Sequence, residues 1–492
     1  MLVGLTIIAL AISGLLFSGS RGLLAAHISL AALLLFLTAG WEISNHFTGE
    51  GITLATLAHL YHGMRHGELG TTRFPLLVAA TSALTFLFVL WAAACIRSNL
   101  RQTYYRRYNI PKIYGWIFVL AVTAALPSHP AASDIAALYK SLDSKNEPLA
   151  NELLWAREPL SQSSQPKSLI YIYLESFERT FLNDDIFPGV APLLSGIESE
   201  GLSIHGVRNA PFTNWTVAGM SASQCGIPLS PLNNSHSKEA HASTPYCIGN
   251  LMKNAGYTLS YIGGADISFA GKGRFYRNQQ FDQIVGLHEI QRQHPSSPPT
   301  SQWGIYDDIV LDVAKEEFQR LKKSGRPFGL FLLTTATHPH SGFPSPSCFE
   351  DRSRKFSNPM LNAAHCSDSQ AIEFVRWIQS QGDQDLVIVL ASDHLQVAGD
   401  AADLLNSSPN RDNLFIALGR DIEPRVIDRA STMMDIAPTT AFLIGLGVTK
   451  MGLGRSLLHP DPTLSEKYGH DTFASMIPGW RLTSKNSGVQ NE

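Results

Sequence analysis

The sequence is short of charge. Lys, Arg, Asp and Glu make up 16% of its 492 residues, against roughly 25% in ordinary soluble proteins. The 38 basic and 41 acidic residues nearly cancel, to −3, which excludes a broadly basic nucleic-acid binder and an acidic disordered tail. Cysteine is scarce too, five in all, and no C-x-x-C pair or internal repeat is present. The shortage of charge is uneven. Residues 1–130 hold eight Lys or Arg and three Asp or Glu, a net of +5, and the remainder carries −8. A basic, very apolar first quarter thus precedes an acidic globular remainder, and the mean hydropathy of +0.01 averages two unlike parts.

What fills the first quarter is four apolar runs, at 2–18, 22–41, 74–96 and 113–127. A helix rising 1.5 Å per residue needs roughly 20 apolar residues to span a bilayer, with about 17 tolerated. The second and third runs qualify outright; the first and fourth are shorter. A cleaved signal peptide is the alternative for 2–18, but no positive segment precedes that run. The stretch between runs three and four carries Arg97, Arg101, Arg106, Arg107 and Lys112, whereas 43–72 carries only Arg65 beside Glu50 and Glu68. The positive-inside rule puts 97–112 in the cytoplasm, and Arg21 agrees. Residues 1–128 are therefore expected to form about four membrane helices in the inner (plasma) membrane, with both chain ends and the large C-terminal domain on the periplasmic, extracytoplasmic side.

Cysteine placement fits that topology. Cys95 falls in the third run, while Cys225, Cys247, Cys348 and Cys366 fall in the exported part. An even count in an oxidising compartment implies disulfides. Pairing neighbours, Cys225 with Cys247 and Cys348 with Cys366, would close two short loops, although three connectivities are open. Spacings of 22 and 18 argue against zinc.

Residues 129–167 read as a juxtamembrane helix and linker, 168–460 as an α/β domain, and 461–492, rich in Ser, Gly and Asn, as a loose tail. The α/β reading rests on short apolar runs alternating with helical stretches, the pattern of a largely parallel sheet. Expected strands are 169–174, 258–262, 328–333, 386–391 and 414–418; expected helices are 190–200, 216–224, 307–323, 367–380 and 431–446. Four of the strands run into polar residues: Glu175-Ser176, Asp266, Thr337-His338 and Asp393-His394. A single carboxylate after a strand is ordinarily a cap or turn residue. Four such clusters on the edge where parallel sheets bind ligands define a rim.

Glu175, Asp393 and His394 are the metal candidates, since two carboxylates and an imidazole suit Zn²⁺, Mn²⁺ or Mg²⁺. Thr216, at the expected start of a helix, would add a hydroxyl where orphan backbone N–H groups favour an anion such as phosphate. A threonine hydroxyl is a poor nucleophile until a cation favours its alkoxide. The competing reading of Thr216 is an N-cap.

These residues sit in longer segments. Tyr171-Ile-Tyr-Leu-Glu-Ser-Phe-Glu-Arg-Thr180, Asn214-Trp-Thr-Val-Ala-Gly-Met-Ser-Ala-Ser-Gln-Cys-Gly-Ile-Pro228, Phe269-Ala-Gly-Lys-Gly-Arg-Phe-Tyr276 and Ser392-Asp-His394 resemble the phosphoglycerol transferases of the alkaline phosphatase/sulfatase superfamily. Those that decorate periplasmic glucans resemble it most, and lipoteichoic acid synthases more distantly. The resemblance covers most of 168–460, and the membrane part with Phe47-Thr-Gly-Glu-Gly51 is similar. It implies a sulfatase-like fold and a divalent metal, Mn²⁺ foremost with Mg²⁺ and Zn²⁺ also compatible, held by Glu175, Thr216, Asp393 and His394. Thr216 would take the headgroup covalently, and His338 would contact the phosphoryl group or protonate a leaving group. Lys272 and Arg274 match substrate-binding positions, and Trp215 either stacks on a sugar or packs in the core. The implied reaction moves phosphoglycerol from phosphatidylglycerol to a glycan acceptor, at the lipid bilayer and without nucleic acid. A phosphoethanolamine transferase is the alternative, although the extra histidines of those relatives are absent from 395–405. A sulfatase acting through formylglycine is disfavoured, because Cys225-Gly-Ile-Pro-Leu lacks the required Cys- or Ser-x-Pro-x-Arg signature. A non-enzymatic scaffold would be expected to have lost a metal ligand, and all four positions are filled.

Overall fold

A computed structural model of the chain describes residues 21–48, 51–53, 56, 112–143, 148–154, 167–229, 247–293, 300–301, 303–349, 356–382, 385–396 and 399–479. The chain divides into two compact units, Met1–Asp143 and Ser144–Glu492.

In the first unit, α1 (Arg21–Thr48) encloses the second apolar run, α2 (Lys112–Ala125) coincides with most of the fourth, and α3 (Pro130–Asp143) follows after a short 3-10 turn. Leu30, Ala31 and Leu34 of α1 are buried against Val122 and Leu126. Thr38 Oγ1 meets His129 Nε2 at 3.1 Å, and Asp134 Oδ2 accepts the Ile52 N–H at 2.9 Å. Among the described residues no helix is long and apolar enough to cross a membrane; α2 has 14 residues. The runs 2–18 and 74–96, with Cys95 and the basic stretch 97–111, lie outside the described residues.

The second unit is built on eight strands: β1 (Ser168–Leu174), β2 (Leu202–Arg208), β3 (Thr258–Gly263), β4 (Gln283–Val285), β5 (Phe328–Leu333), β6 (Leu386–Ser392), β7 (Phe415–Leu418) and β8 (Arg425–Thr432). They lie in the order β8-β2-β7-β6-β1-β5-β3-β4. The central strands pair in parallel, β6 with β1, β1 with β5, and β5 with β3. Their near-continuous apolar sequences leave every residue buried, as strands covered on both faces require. The sheet is mixed rather than purely parallel, because β7 runs antiparallel to both β6 and β2.

Helices cover both faces. On one side α4 (Pro192–Ile197), α8 (Asp307–Lys323) and α9 (Pro359–Ser380) bury Leu194, Phe318 and Phe374 with Ile170, Leu330 and Ile388 of the sheet. Further helices, in chain order, include α5 (Thr216–Cys225), α6 (Ile248–Asn254), α7 (Lys272–Asn278), α10 (Met433–Leu443), α11 (Leu464–Tyr468) and α12 (His470–Met476). α8 starts with Asp307 and Asp308 and ends with Lys322 and Lys323, complementing its dipole. α10 starts with a Thr432/Asp435 capping box and packs along α5. The cysteines pair as neighbours, Cys225–Cys247 and Cys348–Cys366. The first bond joins the end of α5 to the start of α6.

The segment 461–492, expected as a loose tail, instead opens with α11 and α12. A Thr463/Glu466 capping box starts α11, Arg429 of β8 pairs with Glu466 at 2.6 Å, and Leu464, Phe473 and Ile477 are buried.

α5 lies unusually close to the end of β6. A Cβ on Gly219 would overlap the backbone carbonyl of Asp393, so only glycine lets the helix reach that edge. Gly→Ala ordinarily strengthens a helix by about 0.5–1 kcal/mol. Here Gly219→Ala should instead cost about 1–3 kcal/mol through overpacking, read as a lower thermal midpoint of the detergent-solubilised chain.

Candidate active site

Glu175 is the first residue after β1, and Asp393 and His394 follow β6, the neighbouring parallel strand. The register Leu174↔Ser392 therefore brings three ionisable side chains to one sheet edge, all of them buried. His394 Nε2 lies 3.4 Å from Glu175 Oε1 and 3.4 Å from Asp393 Oδ2. Ser176, at φ +51°, turns its N–H onto Asp393 Oδ1 at 2.8 Å and its hydroxyl onto Glu175 Oε1 at 3.0 Å. One residue in a conformation that L side chains rarely adopt thus ties both carboxylates.

Neighbouring loops fix the rest. Thr334 Oγ1 accepts the Glu175 N–H at 3.1 Å, and Thr337 Oγ1 donates to the Glu175 carbonyl. Asp307 accepts the N–H groups of Thr335 and Ala336 at 2.7 and 2.9 Å. The loop beyond His394 is held by Glu178, which accepts the Gln396 N–H at 3.1 Å and Arg411 Nε at 2.9 Å.

Thr216 stands in the first turn of α5, with its Oγ1 3.3 Å from Glu175 Oε2. The N-cap of this helix is Trp215, and no side chain caps it. The capping reading of Thr216 is thereby replaced: its hydroxyl turns to the carboxylates.

The cluster can hold a cation. One ligand atom each from Glu175, Asp393 and His394 lies within 4.8 Å of the others. His394 Nδ1 donates to the Leu395 carbonyl at 2.7 Å, which leaves Nε2 as the coordinating nitrogen. Asp393 Oδ2 is buried and accepts no hydrogen bond among the described residues, an orphan acceptor that a cation would satisfy. Electrostatics agree. Burial and the Glu175 charge push Asp393 up to about 8. Burial would also raise Glu175, but the His394 hydrogen bond and the His338 and His394 charges hold it at about 2. Burial pulls His394 down, and the charge of Asp393 with Glu175 more than reverses that, to about 9. Protons thus stand where positive charge is needed.

His338 joins the same rim. Its Nδ1 donates to the Pro339 carbonyl at 2.9 Å, and burial holds the imidazole below its usual pKa despite the Glu175 charge. Lys272 is buried at the start of α7, its Nζ 4.7 Å above the Phe269 ring, and its charge is felt at His338. Trp215 is half-buried beside Thr216, and Arg274 is exposed on α7. Asp266 accepts the Ser268 N–H at 2.8 Å and faces His288 Nε2 at 3.1 Å, and it is not part of the metal-ligand group. Sequence reading missed Trp303, which stacks on His338 with ring centroids 3.8 Å apart. It sits in a two-stranded ribbon too short to leave a periodic signal.

With this geometry in place, comparison with known proteins gives the class. The Sulfatase family model matches residues 167–446, more than half of the chain, and the chain belongs to the sulfatase family. A model described as Phosphoglycerol transferase I, N-terminal domain, matches residues 1–146. Among curated proteins, Phosphoglycerol transferase I of Xanthomonas axonopodis pv. citri is 32% identical over 460 residues, covering 90% of this chain and 63% of that protein. Phosphoglycerol transferase I of Salmonella paratyphi B is 33% identical over 458 residues, covering 90% and 58%. The chain thus spans about three fifths of the length of these relatives. A crystal structure of an alkaline phosphatase superfamily protein from Vibrio parahaemolyticus shares the fold, with a TM-score of 0.50, 23% identity and coverage of 67% of this chain and 78% of that one.

Burial and the Glu175 charge raise the proton affinity of Asp393, and the two carboxylates raise that of His394, so the group holds a proton that must leave before a cation is coordinated. Uptake of Mn²⁺ should release protons near neutral pH, and affinity should rise with pH roughly tenfold per unit for each proton released. Calorimetry in two buffers of different ionisation enthalpy measures that release. Identical heats in both would count against this assignment.

Proposed function

We propose that the chain transfers phosphoglycerol from phosphatidylglycerol to a glycan of the cell envelope, a periplasmic glucan or another polysaccharide, through a covalent intermediate on Thr216. The observation that carries this reading is the Thr216 hydroxyl, released from capping and set 3.3 Å from Glu175 Oε2 in the first turn of α5, beside the Glu175–Asp393–His394 group. The names of the curated relatives support the phosphoglycerol headgroup. The apolar runs, the basic stretch 97–112 and the match of 1–146 to the transferase N-terminal domain support four membrane spans that hold the catalytic unit on the periplasmic side, where the lipid donor is within reach.

Glu175, Asp393 and His394, with the Thr216 hydroxyl, would hold a divalent ion. When bound, such an ion lowers the pKa of a coordinated hydroxyl and offsets charge on a phosphoryl oxygen. The first turn of α5 directs backbone N–H groups at the phosphodiester. Thr216 Oγ1, its proton given up to solvent, attacks phosphorus, a new O–P bond forms, and the bond to the diacylglycerol oxygen breaks. An anionic phosphodiester alongside raises the proton affinity of His338, so His338 takes up a proton from solvent as the donor binds and gives it to the departing oxygen. In the second step a sugar hydroxyl gives its proton to the now neutral His338 and attacks the glycerophosphoryl-threonine, the bond from phosphorus to Thr216 Oγ1 breaks, and Oγ1 regains a proton from solvent. Lys272 offsets phosphate charge, and Trp215 and Arg274 contact donor or acceptor at the rim.

Full-length protein in vesicles, with phosphatidylglycerol labelled in its headgroup glycerol, should release diacylglycerol and carry label. Thr216→Ala should lose both by roughly a thousandfold or more, and chelation should silence the wild type. Label transfer retained by Thr216→Ala would sink the covalent mechanism. Turnover of phosphatidylethanolamine in place of phosphatidylglycerol would reassign the headgroup.

A further inference from the structure

The aromatic ring against His338 comes from a part of the chain that no sequence motif singles out. Thr300–Ser301 and Gly304–Ile305 form a two-stranded antiparallel ribbon, and Trp303 sits at its turn, with its backbone N–H on Ser301 Oγ at 3.1 Å. The ribbon is fastened to both loops of the rim. Ile305 N–H donates to the Gly264 carbonyl at 3.0 Å, beyond β3. Gly304, at φ +133°, leaves no room for a Cβ against that same Gly264 carbonyl. Two residues on, Asp307 accepts the N–H groups of Thr335 and Ala336, beyond β5 and just before His338. The ribbon thus spans from one rim loop to the other, and the indole it carries lies over the imidazole at 3.8 Å with a 24° interplanar angle. The indole has a second aromatic neighbour, since Phe269 meets it edge-on at 5.7 Å.

An imidazole side chain has two free rotations. The Nδ1 hydrogen bond to the Pro339 carbonyl fixes the tautomer, leaving Nε2 as the working nitrogen, but a single hydrogen bond lets the ring swing about it. A stacked indole removes that swing. We propose that Trp303 is a positioning residue for the transfer reaction, acting through His338 by holding the plane of its imidazole so that Nε2 meets the leaving and attacking oxygens. The inference rests on the role given to His338 above. The indole Nε1 has no hydrogen-bond partner among the described residues, and the stacked face is the contact through which Trp303 meets the histidine.

The test is kinetic and chemical, on the detergent-solubilised full chain. Trp303→Ala should lower kcat about 10- to 100-fold, the scale on which small misplacements of a reacting group act, with KM unchanged. Trp303→Phe keeps a ring to stack and should restore most of the rate. In a double-mutant cycle, Trp303→Ala combined with His338→Ala should be no slower than His338→Ala alone. Losses that multiply instead would mean a structural role for Trp303 and overturn the proposal. Independently of turnover, the rate at which diethyl pyrocarbonate modifies His338, followed by peptide mass spectrometry, should rise severalfold in Trp303→Ala, because the stacked face becomes accessible. An unchanged rate would overturn the proposal even if activity fell. If His338→Ala keeps full activity while Thr216→Ala has none, the role of His338 fails and the proposal with it, but the threonine mechanism stands.

Discussion

Two carboxylates buried side by side set the terms for the whole catalytic unit. Glu175 and Asp393 end neighbouring parallel strands, and neither reaches water. Like charges in a desolvated site are tolerated only with compensation, and this chain supplies it in layers: His394 between the acids, the Ser176 N–H and hydroxyl, and the threonine-lined loop after β5. The cluster is left with an orphan oxygen on Asp393 and a raised proton affinity. Its geometry is complete and its charge is not, which is the condition under which a cation binds without rearranging its host.

Thr216 reaches this cluster by a different route. It belongs to no strand end; it arrives on α5. The approach depends on Gly219, on α10 packed alongside, and on a helix start whose cap is Trp215. Because α5 does not use the threonine hydroxyl, that hydroxyl is available to chemistry. Strand ends thus supply the proposed ligands, and a helix start supplies the proposed nucleophile.

The clustering of Glu175, Asp393 and His394 was legible in the sequence because parallel strands advertise themselves. Leu169–Leu174 and Leu386–Ala391 are uninterrupted apolar runs, and the polar residues that follow them must share an edge. The strands that escaped notice lack such runs. β8 reads Arg-Val-Ile-Asp-Arg-Ala-Ser-Thr with charged, exposed residues, as an edge strand does, and β2 is interrupted by His205-Gly206. The reversal of β7 was hidden because pairing direction leaves no trace in a four-residue apolar strand. Thr216 was found through its surrounding block, and sequence alone left it between cap and nucleophile. Trp303 could not be found, since its importance lies in a contact with a residue 35 positions away. The helices α11 and α12 were lost beneath a polar composition, although the Thr463/Glu466 box and buried Leu464 and Phe473 anchor them.

The cross-link between Cys225 and Cys247 has a practical side. It clamps the far end of the helix whose near end carries Thr216, so the thiol chemistry of the surroundings bears on a hydroxyl nine residues away. Protein produced in a reducing cytosol, or stored in dithiothreitol, would carry that helix without its clamp. A silent preparation of this kind would report on how it was handled and leave the enzyme's competence unmeasured.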